Sequence, residues 1–125
     1  MILLVPSLVS VVDDDQSVRE SLPDLLKVCG YNAEAFASAE EFLASDLLRE
    51  TKCLIVDVAM PGMNGPDLQR ELSRRRHAIP IVYVTAHRDE TVRPRMLEQG
   101  AVECLFKPFS DTALLDAVMR ALRAG

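Results

Sequence analysis

Four apolar runs in this chain stop on a polar or charged side chain. Leu8-Val9-Ser10-Val11-Val12 leads into Asp13 and Asp14, and Cys53-Leu54-Ile55-Val56 leads into Asp57. Ile81-Val82-Tyr83-Val84 stops at Thr85, and the run over 102–106 stops at Lys107, with Pro108 behind it. Runs this short and this apolar suit strands buried on both faces. The segment 32–36 reads as a further short strand, second in chain order.

Between the strands the period changes to that of helices. Val18, Leu22, Leu25, Leu26 and Cys29 predict a first helix over 16–29, closed by Gly30 in the left-handed region. Ser38-Ala39-Glu40-Glu41 reads as a capping box that opens a second helix running to about 48. A third is expected over about 66–76 with Leu68 and Leu72 inward, a fourth over 90–99 before Gly100, and a fifth from Ser110 to about 122. Pro23 lies inside the first and is expected to kink it; Pro94 should shorten or bend the fourth.

Strands alternating with amphipathic helices define an α/β chain, a (βα)5 doubly wound fold whose five-stranded parallel sheet is covered on both faces. With the flavodoxin-like strand order 2-1-3-4-5, ligands bind beyond the carboxyl ends of the first and third strands, where the order reverses. Those are the strands that carry Asp13, Asp14 and Asp57.

The chemistry follows from the crowding. Carboxylates brought together repel one another, so their proximity calls for a cation. A hard divalent ion such as Mg²⁺ (or Mn²⁺) takes oxygen ligands in an octahedron and keeps several waters. One or two of these carboxylates plus a backbone carbonyl from the loop after Asp57 would suffice. Asp57 then keeps an oxygen for nucleophilic attack, and the Lys107 ammonium and Thr85 hydroxyl can neutralise an incoming phosphoryl group. Taken alone, Asp13-Asp14-Asp15 is no more than an acidic helix start favoured by the helix dipole. Its combination with Asp57 and Lys107 at strand ends points to a metal.

Composition narrows the classes. A net charge of −5 argues against nucleic-acid binding by this domain itself. With 125 residues, the chain fits a single domain, 1–125, with its core at about 8–122 and no output domain within it. Cys29, Cys53 and Cys104 have no CxxC spacing and read as reduced thiols of a cytoplasmic protein. The apolar start Met1-Ile2-Leu3-Leu4-Val5-Pro6 lacks a basic flank and is too short for a bilayer, so neither a leader nor a membrane segment is expected. His77 and His87 have no partner at ligand spacing, and Arg74-Arg75-Arg76 reads as a solvated helix end.

Four segments together carry a resemblance. They are Val11-Val12-Asp13-Asp14-Asp15, the stretch from Ile55-Val56-Asp57 to Asn64-Gly65, Val84-Thr85-Ala86, and Phe106-Lys107-Pro108-Phe109. In this order and at these separations they resemble a response-regulator receiver domain. The texture of Ser17-Val18-Arg19-Glu20-Ser21-Leu22 and of Thr85-Ala86-His87 is similar to receivers of FixJ-type transcriptional regulators.

The resemblance implies a two-component phosphoacceptor, with a sensor histidine kinase as partner and Asp57 as the residue phosphorylated. It implies Asp14 as the direct Mg²⁺ ligand, Asp13 acting largely through water, and the backbone carbonyl of Ala59 as the third protein ligand. Thr85 would be the switch hydroxyl and Lys107 its ion partner, before a cis proline. Arg93, Arg95 and Glu98 suit either a homodimer face around the fourth helix and fifth strand, formed on phosphorylation, or an ordinary charged surface. The chain would be no turnover enzyme, apart from its own phosphotransfer and slow dephosphorylation. The alternatives are a pseudo-receiver that is never phosphorylated and a metal-dependent phosphohydrolase. Such hydrolases place a second acid where this chain has Ala59. One departure stands out: the family's switch aromatic, three residues before the lysine, is Cys104 here, a core packer by its surroundings.

Overall fold

A computed structural model describes residues 6–124; the apolar start at 1–5, together with the expectation placed on it, lies outside the described residues, as does Gly125. The strands β1 (Leu8–Val12), β2 (Asn32–Phe36), β3 (Thr51–Asp57), β4 (Ile81–Thr85) and β5 (Glu103–Phe106) form one sheet in the order β2-β1-β3-β4-β5. Every pairing is parallel, in keeping with the apolar runs of β1, β3 and β4; β2 at the sheet edge is partly exposed. The helices are α1 (Gln16–Val28), α2 (Ala39–Leu43), α3 (Gly65–Arg74), α4 (Val92–Glu98) and α5 (Asp111–Ala124).

Alternation along the strands divides the core into two layers. Val9, Val11, Cys53, Ile55, Val82 and Val84 point toward α1 and α5, where Leu26, Leu114 and Val118 close the packing. Val12, Leu54, Val56, Tyr83 and Cys104 point the other way, against Phe42 of α2, Leu68 and Leu72 of α3, and Met96 of α4. Cys104 is a buried core residue, as its surroundings in the sequence imply. Among the described residues no helix is long and apolar enough to cross a membrane.

Most elements begin and end for local reasons. Asp15 caps α1 by accepting from the Ser17 N–H, and Gly30 leaves it with φ +95°. The helix continues through the buried Pro23 to Val28. Asn64 and Asp67 form a reciprocal capping box at the start of α3, which therefore opens at Gly65, one residue before the expected start at Pro66. It ends at Arg74 rather than at about 76, because Arg76 turns to φ +63° and the His77 N–H closes back on the Leu72 carbonyl.

Two helices are shorter than expected. The second does not run to about 48: Ser38 caps it as read, accepting from Glu41 N–H, but it ends at Leu43. The Ser45 hydroxyl then takes the Leu47 N–H and starts a separate 3-10 turn over Asp46–Glu50, so a serine hydroxyl competes with the helix for backbone donors. The fourth helix starts at Val92 instead of 90, because Asp89 accepts from both the backbone N–H and the hydroxyl of Thr91. That puts Pro94 in the first turn, where a missing N–H costs no helical bond. β5 starts at Glu103 rather than at 102, and β3 starts two residues early at Thr51, whose hydroxyl lies 2.7 Å from that of Ser10 on β1.

Candidate functional site

Parallel register delivers the predicted residues to one edge. Val12 of β1 is opposite Val56 of β3, so Asp13 and Asp57 leave adjacent strands at the same level. Val84 of β4 faces Asp57, and Thr85 lies one residue further on. Thr85 in turn faces Phe106, and its carbonyl accepts from the Lys107 N–H at 2.8 Å. Asp13, Asp14, Asp57, Thr85 and Lys107 thus gather beyond the carboxyl ends of four strands.

Lys107 is the centre of the arrangement. Its Nζ donates to Asp13 Oδ2 and to Asp57 Oδ2, both at 2.9 Å. The second oxygen of each acid has a backbone donor: Asp13 Oδ1 accepts from Asp15 N–H at 2.9 Å, and Asp57 Oδ1 from Ala59 N–H at 3.0 Å. The bond from Ala59 holds the loop after β3 against the carboxylate. Asp13 and Thr85 are fully buried, Asp57 nearly so, while Asp14 and Ala59 are exposed at the rim. Thr85 Oγ1 accepts from His87 N–H at 3.1 Å, and the Lys107-Pro108 peptide is cis.

Burial and pairing set the charges. Loss of hydration pushes the Asp13 carboxyl above its usual range, and the bonds from Lys107 and Asp15 only partly offset that. Burial also works against the Lys107 ammonium, but Asp13 and Asp57 outweigh it and hold its pKa above the ordinary lysine value. Both values move upward, for Asp13 because burial disfavours its anion and for Lys107 because two acids favour its cation.

Asp13, Asp14 and Asp57 each offer a carboxylate oxygen, and these oxygens lie within 4.8 Å of one another. An all-oxygen set of three acids fits a hard divalent cation such as Mg²⁺ and offers nothing soft to zinc or copper. His77 and His87 do not join it.

Sequence reading missed several contacts around the edge. Arg19 reaches back from α1 to the Asp13 carbonyl at 3.0 Å. Glu40 of α2 accepts from Met63 N–H at 3.4 Å, next to Gly62 with φ +74°. Glu103 accepts from Arg93 at 2.9 Å and from Arg120 at 3.0 Å. Each joins separate elements, and no local spacing signals such a partner. An acid inside an apolar strand, as at Glu103, was the one visible hint.

This sheet order, with the acids and lysine at its switch point, defines a response-regulator receiver. The chain belongs to that family: residues 9–119 match the response regulator receiver domain. It is 45% identical over 115 residues to nodulation protein W of Bradyrhizobium diazoefficiens, covering 92% of this chain and 51% of that protein. Among solved structures it resembles the response regulator StyR, with a TM-score of 0.87 and 43% identity over 96% of this chain and 61% of that one. It also resembles the structure titled FixJ-N, with a TM-score of 0.84 and 34% identity over 96% of both chains. The chain spans about half the length of the curated relatives it matches.

Proposed function

We propose that this domain is a phosphoacceptor switch, in which Asp57 takes a phosphoryl group from the phosphohistidine of a sensor kinase. A carboxylate oxygen of Asp57 bonds to phosphorus as the P–N bond breaks; the electron pair returns to the imidazole, and an aspartyl phosphate remains. Asp13, Asp14, Asp57 and the Ala59 backbone carbonyl would hold Mg²⁺ (or Mn²⁺). The ion, when bound, supplies positive charge to the phosphoryl oxygens.

The chain's own groups do the rest. Lys107 reaches both acids and is placed to follow a phosphoryl oxygen once Asp57 is esterified. Thr85 offers a buried hydroxyl one residue beyond the strand partner of Asp57. Phosphorylation adds nearly two negative charges, enough to reorder Thr85 and Lys107 around them. The output surface on this reading is the α4–β5 face, presented to a second copy of the chain in the cytoplasm. DNA is not its ligand. The role is signalling rather than turnover, since Ala59 stands where an aspartyl phosphohydrolase carries its second acid.

The observation that carries this reading is the Lys107 ammonium bonded to Asp13 and Asp57 at once. The test is labelling by acetyl phosphate with Mg²⁺. Wild-type chain should take up acid-stable, base-labile label, and Asp57→Asn should take up none. Equal labelling of the variant would sink the assignment.

A further inference from the structure

Tyr83 is the largest fully buried side chain among the described residues, and it sits between two places that must communicate in any switch. On one side is the backbone at Asp57. The Cα of Gly65 fits so closely there that an added Cβ would lie 2.6 Å from the Asp57 carbonyl oxygen and 2.7 Å from Tyr83 Cε1. The space between ring and carbonyl therefore admits a glycine and no side chain.

On the other side is α4. Tyr83 Oη donates to Gln69 Oε1 of α3 at 2.6 Å, and Gln69 Nε2 donates to the Gln99 carbonyl at 2.9 Å. Gln99 is the C-terminal cap of α4, so its carbonyl has no helical donor and needs an outside one. The Gln69 amide can satisfy both neighbours only in this orientation, because the reverse would set its oxygen against the carbonyl. A buried hydroxyl must also keep a partner, so Tyr83 cannot shift without either breaking this bond or carrying Gln69 along. Opposite Tyr83 on β5 stands the small Cys104.

We propose that Tyr83 is a positioning residue that ties the backbone at Asp57 to the C-terminal end of α4 through Gln69. Through it, a change at Asp57 reaches residues 97–101. The signalling half rests on the phosphoacceptor reading; the tie itself does not.

The test is amide hydrogen exchange on the full chain and on its Tyr83→Phe and Gln69→Met variants, with and without Mg²⁺ plus beryllofluoride. Fluorine resonances of bound fluoride count occupancy independently. Without additions, each substitution should raise exchange over 97–101 by about fivefold, the worth of one net hydrogen bond, and the double variant should add little. Exchange in α1 and β2 should not move, and Tyr83→Phe keeps the ring and with it the fold. With beryllofluoride bound, wild type should change its exchange over 97–101. Tyr83→Phe should bind equally well and lose that remote response.

Unchanged exchange over 97–101 in the resting Tyr83→Phe chain overturns the tie, and so does full additivity in the double variant. A remote response retained in Tyr83→Phe with beryllofluoride bound overturns the signalling half. Failure of wild type to bind beryllofluoride overturns that half together with the phosphoacceptor reading, and the resting comparison alone then upholds or overturns the tie.

Discussion

Lys107 and Asp13, 94 positions apart in the chain, meet at 2.9 Å around a carboxylate that no solvent reaches. The contact favours both charges, but burial outweighs it for the acid and not for the ammonium. A carboxyl held above its usual range costs the folded state stability once it ionises, so its contribution falls as pH rises through that range. Lys107 has the same sign in a far more alkaline window: its contribution is complete below the ordinary lysine value and is lost as pH climbs through the raised one. Asp13→Asn should therefore raise the melting temperature at pH 7 by roughly 3–5 °C without divalent metal, the effect of about 1 kcal/mol at this size. Added Mg²⁺ at a hundred times its dissociation constant should stabilise wild type by about 2.7 kcal/mol and the variant by much less. Thermal unfolding followed by circular dichroism checks both, and a variant that melts lower without metal would refute the first.

Gly65 allows the tightest backbone approach described. A methyl group there meets the Asp57 carbonyl oxygen, which cannot swing aside as a flexible side chain could. Gly65→Ala should cost about 2–3 kcal/mol in urea unfolding, at the upper end for overpacking. A loss below about 0.5 kcal/mol would mean that the loop before α3 yields.

Glu103 lies almost wholly buried on β5 with guanidinium groups from two helices. Burial alone would raise its pKa, but the Cys104 N–H, Arg120 and Arg93 together hold it below the ordinary glutamate value. A lowered carboxyl contributes stability that is present above the unfolded value, near 4.5, and is lost as pH falls through the folded one. Glu103→Gln should cost about 1–3 kcal/mol at pH 7 and progressively less below pH 4.5. Denaturant midpoints at pH 7 and pH 3 decide it; an equal loss at both pH values would mean that charge is irrelevant there.

Arg76 terminates α3 at φ +63°, a left-handed conformation that glycine adopts without a Cβ penalty. Its side chain is exposed and is not needed for the His77–Leu72 closure. Arg76→Gly should raise stability by about 1 kcal/mol, read as a higher urea midpoint at unchanged slope.

The residues of the candidate site were legible because each follows a strand, and strand ends announce themselves where apolar runs break off. Asp13, Asp57, Thr85 and Lys107 needed only the parallel order to come together. Helix bounds were less legible wherever two local signals competed: Ser45 against the end of α2, Asp89 against the start of α4. Least legible were bonds between elements that share no local pattern. Nothing at Tyr83 indicates Gln69, since both types are as common at positions with no such role.

The Glu103 arrangement has a consequence for how such a chain can vary. Arg93 lies on α4, Glu103 on β5 and Arg120 on α5, and the two arginines answer to one acid. Reversing the sign at position 103 takes the acid from Arg93 and leaves Arg120 with only Asp116, 3.0 Å away on its own helix; neutralising one arginine leaves the other to hold Glu103 alone. The three positions should drift through evolution as a block, with substitutions at one tolerated only after compensation at its companions. A chain diverging toward a new partner would thus find this surface easier to exchange whole than to edit residue by residue.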